Sequence, residues 1–578
     1  MMVRFSKIVV LALTMIFGAA ALLVARKGAE FRMNEKVLFS VEVTSEYGQE
    51  RIESWRSDEA EFFIFLPSYA DLAKTKLYQN RPGEVTIDGE PIINGMTCEN
   101  FQWNAPYELT CRIAGEFPET RITFLKSDNI PTMYIDTRSG NMDYIHKKKG
   151  NEETGKVRLY TDDGKIDYAG NLDKISGRGN VTWSVSAKKP YSIVLQNAGN
   201  LLEMGAAQNW ILLANAIDDT NLRNKIVLDF AKTMEMSYSP QCEWINLYLN
   251  GEYAGLYLLC ERNEVHPERV NLAPNGSFLV SEELEERLKM DDHPYLVTEH
   301  NIPLRIRYAS APTDEIRNVF QSAENAILAE NGIDPVTGKS WQELIDAESW
   351  AKKYLLEEVF ANVDGGRVSQ FYYWNGDKIY AGPVWDYDLT MGINLSWDTF
   401  TYVPEMFYAN RPGDDGAAWF WVLYGKQEFY DRVTELYQKE FQPLLVDFLE
   451  TEVPQYAAEI AASAGMNAVR WAAGDFGMAV EDLQEYLSRR MEFLDAVWTR
   501  NEEYYMVRIY LEKEPPLCYA VCPGAHMAEL LETVNMGGTV SWYLAETGEP
   551  FDPEQPIYKD TDVFFRIETL EPEFAENS

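Results

Sequence analysis

Residues 362–392, NVDGGRVSQFYYWNGDKIYAGPVWDYDLTMG, decide how the rest of the chain is read. They set three acids, Asp364, Asp386 and Asp388, among aromatic and β-branched residues. Two turn signals, Asp364-Gly365-Gly366 and Asn375-Gly376-Asp377, bracket the run 370–374, and a second run, 378–385, leads into Asp386. The pattern predicts a hairpin with Asp364 just before its first strand and Asp386-x-Asp388 at the end of its second. In a strand, period two would put Asp386 and Asp388 on one face. Carboxylates gathered this way repel one another, and a shared divalent cation is the usual resolution. The plainer alternative is that they are loop and capping acids of a very acidic chain.

Working outward, 578 residues are too many for one core and fit roughly two to four domains. The apolar content of 46% indicates a folded protein. A net charge of −39 argues against a nucleic-acid partner, so any site for a phosphorylated ligand must supply its own cations. At the start, Arg4 and Lys7 precede an uncharged apolar run over 8–25, and Arg26 and Lys27 follow. Residues 1–29 are therefore expected to be a signal peptide or membrane anchor, the only membrane contact, with the body outside the cytoplasm. Six cysteines fall in three close pairs, Cys98 and Cys111, Cys242 and Cys260, Cys518 and Cys522. In an exported protein this suits disulfides, with buried thiols the alternative, and the lack of partner histidines argues against zinc.

Residues 30–129 read as short β runs separated by turns, a small all-β accessory domain. Residues 130–500 mix strands and helices, and residues 501–578 return to a small β module. Within the middle region, Gly177-Arg178-Gly179-Asn180 frees the backbone to approach a ligand, and the guanidinium suits phosphate oxygens. Lys188 and Lys189 enter an alternating strand and so point to opposite faces, one of them inward. Asp219 or Thr220 is a helix N-cap candidate, and Arg223 in the first turn calls for an acidic or anionic partner. Residues 242–262 form a strong hairpin signal around Asn250-Gly251, with Glu261 at its end. Helices are expected over 313–330 and 340–360, and from 428 onward.

Taken in order, Gly177-Arg178-Gly179-Asn180-x-Thr182-Trp183, Lys188-Lys189-Pro190-Tyr191, Asp219-Thr220-x-Leu222-Arg223-Asn224, Asn250-Gly251-Glu252-Tyr253-x-Gly255-x-Tyr257 and Pro383-x-Trp385-Asp386-Tyr387-Asp388 resemble the CotH family, the atypical kinases similar to spore-coat protein H. The resemblance covers residues 130–500. It implies a divergent protein-kinase-like core; with the helical C-terminal lobe and the flanking small all-β modules read above, the expected fold is α+β. It also implies transfer of the ATP γ-phosphoryl group to Ser or Thr of a surface or spore-coat protein, with magnesium or manganese. Residue by residue, Asp386 resembles the metal-holding acid and Asp388 its companion. Asp364 resembles the catalytic-loop acid that accepts the hydroxyl proton. Lys189 or Lys188 resembles the nucleotide-phosphate lysine, Arg178 and Asn180 lie in the phosphate loop, and Glu261 is placed as the acid orienting the lysine. One departure stands out: Ser369-Gln370 occupies the place where the family often has Asn, so Gln370 would serve the metal through a longer side chain.

Two further readings stay open. One is a kinase-like surface protein, inactive or weakly active, that binds or builds structure. The other is a metal-dependent hydrolase, which five histidines, none near the acids, argue against.

Overall fold

The computed structural model describes residues 38–568, except 58, 60, 81–82, 113–119, 291, 394–402, 413–417, 512–515 and 532–538. The expected targeting segment, residues 1–29, lies outside the described residues. Among those described, no helix is long and apolar enough to cross a membrane. The architecture is mixed α+β, and the chain divides into two compact units.

The first unit comprises residues 1–221, 241–262 and 455–479. Its centre is a closed seven-stranded barrel: β1 (Thr132–Thr137), β2 (Glu152–Tyr160), β3 (Ile166–Gly177), β4 (Tyr191–Asn200), β5 (Ala206–Leu213), β6 (Cys242–Leu249) and β7 (Glu252–Glu261). The order is β1-β2-β3-β4-β5-β7-β6, closed by parallel pairing of β6 with β1. Period-two patterning builds it: Met133 and Ile135, Val157 and Leu159, Ile193 and Leu195, Ile245 and Leu247 share one buried cluster. The alternate residues Tyr134, Tyr160 and Tyr248 belong to a second cluster, with the sheets formed by residues 39–126. Arg158 and Tyr160 both reach Glu50 at 2.6 Å across that contact. Residues on either side of position 130 thus share one hydrophobic core. The β6–β7 turn carries positive φ at both Asn250 and Gly251, the backbone that an Asn-Gly hairpin needs. All six cysteines carry thiols, and Cys242 stands opposite Cys260 in the β6–β7 register.

The second unit comprises residues 222–240, 263–454 and 480–578. It holds a five-stranded antiparallel sheet of β8 (Phe278–Glu282), β9 (Tyr295–Val297), β10 (Pro303–Ala309), β11 (Phe371–Trp374) and β12 (Ile379–Ala381), in the order β9-β10-β8-β11-β12. Helices α1 (Arg223–Thr233), α2 (Thr313–Leu328) and α3 (Ala347–Val359) belong to the same unit. Phe320 of α2 meets Phe278, and Trp350 of α3 stacks on Tyr372 at 5.0 Å between centroids. A six-stranded sheet from residues 505–568 takes in Met406–Phe407 as an edge strand, pairing Met406 with Tyr519.

Local expectations are corrected in two places. The run 340–360 is a short helix, Trp341–Leu344, and then α3, because Asp346 caps α3 through the Ser349 N–H. Neither Asp219 nor Thr220 caps α1, which starts at Arg223 without a side-chain cap; the Thr220 hydroxyl donates to Asp218 instead.

Candidate functional site

In the second unit, α3 delivers the chain to the acids. The helix ends at Phe360, Ala361 turns into the left-handed region, and the Asn362 N–H returns to the Glu357 carbonyl. The Asn362 side chain then accepts from the Asp364 N–H at 3.1 Å. The Val363 N–H donates to the Leu389 carbonyl, which brings the segments around Asp364 and Asp388 side by side.

Beneath them lies a buried polar network. Glu357 pairs with Lys353 at 2.5 Å, one turn away on α3, and both side chains are at most 1% exposed. The Tyr387 hydroxyl donates to Glu357 and accepts from Lys353, at 2.8 and 2.7 Å. The other Glu357 oxygen accepts from Asn362. Burial pushes the Lys353 ammonium down, and Glu357 opposes that shift. Asn224 of α1 accepts the Tyr387 N–H, and Arg223 donates to the Thr390 carbonyl at 2.9 Å. Arg223 therefore spends part of its guanidinium on the segment that follows the acids.

The hairpin β11–β12 forms as expected, but its second strand ends at Ala381, short of the acids. Asp386 is not in a strand: it stands at φ 73°, in the left-handed region. Tyr387 still points inward, leaving Asp386 exposed and Asp388 half-buried. The Ser369 hydroxyl donates to one Asp386 oxygen at 2.9 Å. Next to it, Gln370 is buried and donates to the Val368 carbonyl, while its Oε1 has no hydrogen-bond partner among the described residues.

Asp364 is half-buried, and its carboxyl is pushed up to about 6 by burial first and by the Asp386 charge second. Arg287, Arg367 and Arg411 pull it back. The Arg367 N–H reaches the Asp364 carbonyl, and Arg411 donates to the Val363 carbonyl at 2.6 Å. Arg411 is itself placed by a clamp. Glu358, fully buried, accepts the N–H groups of Tyr408, Ala409 and Asn410 and pairs with Arg490 at 2.9 Å.

The other site residues lie in the first unit. Lys188 is 2% exposed and donates to the Leu256 carbonyl at 2.6 Å, over the Tyr257 ring. Gly255 makes room for it: at φ 121°, a Cβ there would sit 3.0 Å from Lys188 Cε and 2.7 Å from Asn467 Oδ1. Burial lowers the Lys188 ammonium to about 7, with Asp218 opposing. Lys189 is partly exposed and donates to the Trp183 carbonyl. Arg178 joins the same corner through its N–H to the Pro190 carbonyl, and Asn180 is exposed at its edge.

Glu261 is buried at the end of β7, where its carboxylate accepts the Gln241 N–H. The acid acting on Lys188 is Asp218, which sequence reasoning missed, although it directly precedes the Asp219-Thr220 motif. Among the described residues, no group of three or more His, Cys, Asp or Glu is placed to hold a metal ion.

Oxygen donors are nevertheless present. Asp386 offers an exposed carboxylate, and Gln370 holds an acceptor that has no other use. An exposed carboxylate such as Asp386 suits a hard cation like magnesium, which binds through one or two carboxylates and keeps waters or substrate phosphates as its other ligands, whereas Gln370 would have to turn outward to join it.

No curated protein matches the chain. The family model CotH kinase protein matches residues 175–494. That span takes in the Gly177–Asn180 turn, both lysines and all three acids, over more than half of the 578 residues: the chain belongs to the CotH kinase protein family.

Proposed function

We propose that this protein is a kinase with a divergent protein-kinase-like core, transferring the γ-phosphoryl group of ATP to Ser or Thr hydroxyls of a surface or spore-coat protein outside the cytoplasm. The observation that carries this reading is the placement of Asp364 beside the Asp386–Asp388 segment, through the Val363 N–H on the Leu389 carbonyl, where burial first and the Asp386 charge second push the Asp364 carboxyl up to about 6. A carboxylate in that range is charged at neutral pH and basic enough to take a proton from an attacking hydroxyl.

In this reading Asp364 receives the acceptor's proton as the oxygen bonds to phosphorus and the bond from phosphorus to ADP breaks. Arg411 and Arg367 keep Asp364 ionised. Asp386, with Asp388 and Gln370, would hold a divalent cation. When bound, that cation neutralises charge on the phosphate oxygens. Lys188 is the primary phosphate lysine, since it is the buried one and its charge costs least when an anion is present. Lys189, Arg178 and Asn180 serve the same nucleotide, and Asp218 takes the orienting part first given to Glu261.

A second reading, a kinase-like surface-binding protein with little or no activity, draws on Gln370. Its longer side chain is buried and its Oε1 is unused.

Incubating the protein with γ-labelled ATP, magnesium or manganese and a Ser-rich acceptor separates the two readings. Label transferred by the wild type and absent with Asp386→Asn supports the kinase. Absence of label, together with absence of metal-dependent nucleotide binding, removes the kinase reading and favours the binding protein.

A further inference from the structure

The basic run His146-Lys147-Lys148-Lys149 plays no part in the function proposed above. Two contacts fasten it within the first unit. His146 bonds the Tyr191 hydroxyl at 2.6 Å, where β4 begins. Lys149 donates to the Gly179 carbonyl at 2.8 Å and to Asn180 Oδ1 at 2.7 Å. One ammonium thus spans the backbone and the side chain of the Arg178-Gly179-Asn180 turn, where Gly179 takes φ 75°.

An ammonium has donors and no acceptors, so the Asn180 amide must turn its oxygen to Lys149. Its NH2 group, two donors, is then left for an outside acceptor. A chain of net charge −39 places Lys147, Lys148 and Lys149 in the loop tied to this turn and Arg178 in the turn itself. Donors and positive charge together suit phosphate.

We infer that Lys149 is a positioning residue for the nucleotide's phosphates, fixing the Arg178-Gly179-Asn180 turn and aiming the Asn180 amide donors at them. The inference rests on the kinase reading. Lys149 and Asn180 are both exposed, so replacing the lysine leaves the fold standing.

The test titrates the full chain, as wild type, Lys149→Met and Lys149→Arg, with ATP and with adenosine, and measures kcat and KM for transfer. Lys149→Met is expected to weaken ATP binding about three- to tenfold, with adenosine binding unchanged and kcat within about twofold. Lys149→Arg should restore most of the ATP affinity. Equal ATP affinity in wild type and Lys149→Met overturns the inference and leaves the kinase reading intact. Parallel loss of ATP and adenosine binding also overturns it, since that is the mark of a structural role. A wild type that binds no nucleotide removes both the inference and the kinase reading.

Discussion

Asp364→Asn should make the protein more stable while ending its activity. The fold keeps this carboxylate charged at neutral pH against burial and against Asp386, raising its carboxyl from 3.8 to about 6. At about 1.4 kcal/mol per pH unit of separation, the full effect is about 3 kcal/mol, and partial exposure reduces it to about 1–3 kcal/mol. The sign follows from proton binding. Between pH 3.8 and about 6 the folded chain holds the proton that the unfolded chain has released, so stability falls as pH rises through this window. Above about 6 the penalty is complete, and asparagine, which cannot ionise, escapes it. Thermal unfolding followed by tryptophan fluorescence in EDTA should therefore place the variant roughly 1–3 °C above wild type at pH 8, since a 578-residue chain shifts by about 1 °C per kcal/mol. The gap should close near pH 3.5, and labelled-ATP transfer should drop to background. An asparagine variant no more stable than wild type at pH 8, or a gap that persists at pH 3.5, would refute the account of Asp364.

Lys188→Met should weaken ATP binding about tenfold or more, and Lys189→Met only about twofold, because the first charge is buried and the second is only partly so. Fluorescent-nucleotide titration decides this, and a larger loss from Lys189→Met reverses the assignment. Tyr387→Phe removes one bond to each member of the Lys353–Glu357 pair and should cost about 2–4 kcal/mol in urea unfolding. A cost under about 1 kcal/mol would show that the network does not hold the acids. Glu358→Gln leaves Arg490 as a buried charge without its counter-ion and should destabilise by about 3–5 kcal/mol, read in the same way; a surface-like loss would remove the clamp from the argument.

The sequence made hairpins legible wherever turn chemistry and alternation agreed. Asn250-Gly251 between two β-branched and aromatic runs, and Asn375-Gly376 before Ile379, mark their turns with no outside help. The acids were legible as a group through their spacing and their family motif. Their geometry was not: Asp386 reads as the continuation of a strand, and its left-handed backbone is imposed by Tyr387 turning inward to Glu357 and Lys353 on a distant helix. Asp218 was passed over for Glu261 for a similar reason. Position along a strand does not say which carboxylate will lie near the lysine, and one Glu261 oxygen accepts the Gln241 N–H. Met406–Phe407 is too short to carry any pattern, and only its pairing with Leu517–Val521 makes it a strand.

That two-residue strand affects the order in which a newly made chain becomes competent. Ala361, Met406 and Tyr408 share their hydrophobic cluster with Val507, Ile509, Leu517 and Tyr519, residues synthesised long after the acids. Until these arrive, the turn that carries Asp364 lacks part of its cover, and the segment leading to Arg411 lacks a strand partner. A nascent or clipped chain therefore holds every residue of the candidate site without the packing that covers its turn. Hydrogen exchange over residues 361–370 in a chain ended at residue 500 reads this directly, and protection equal to that of the full chain would disprove it.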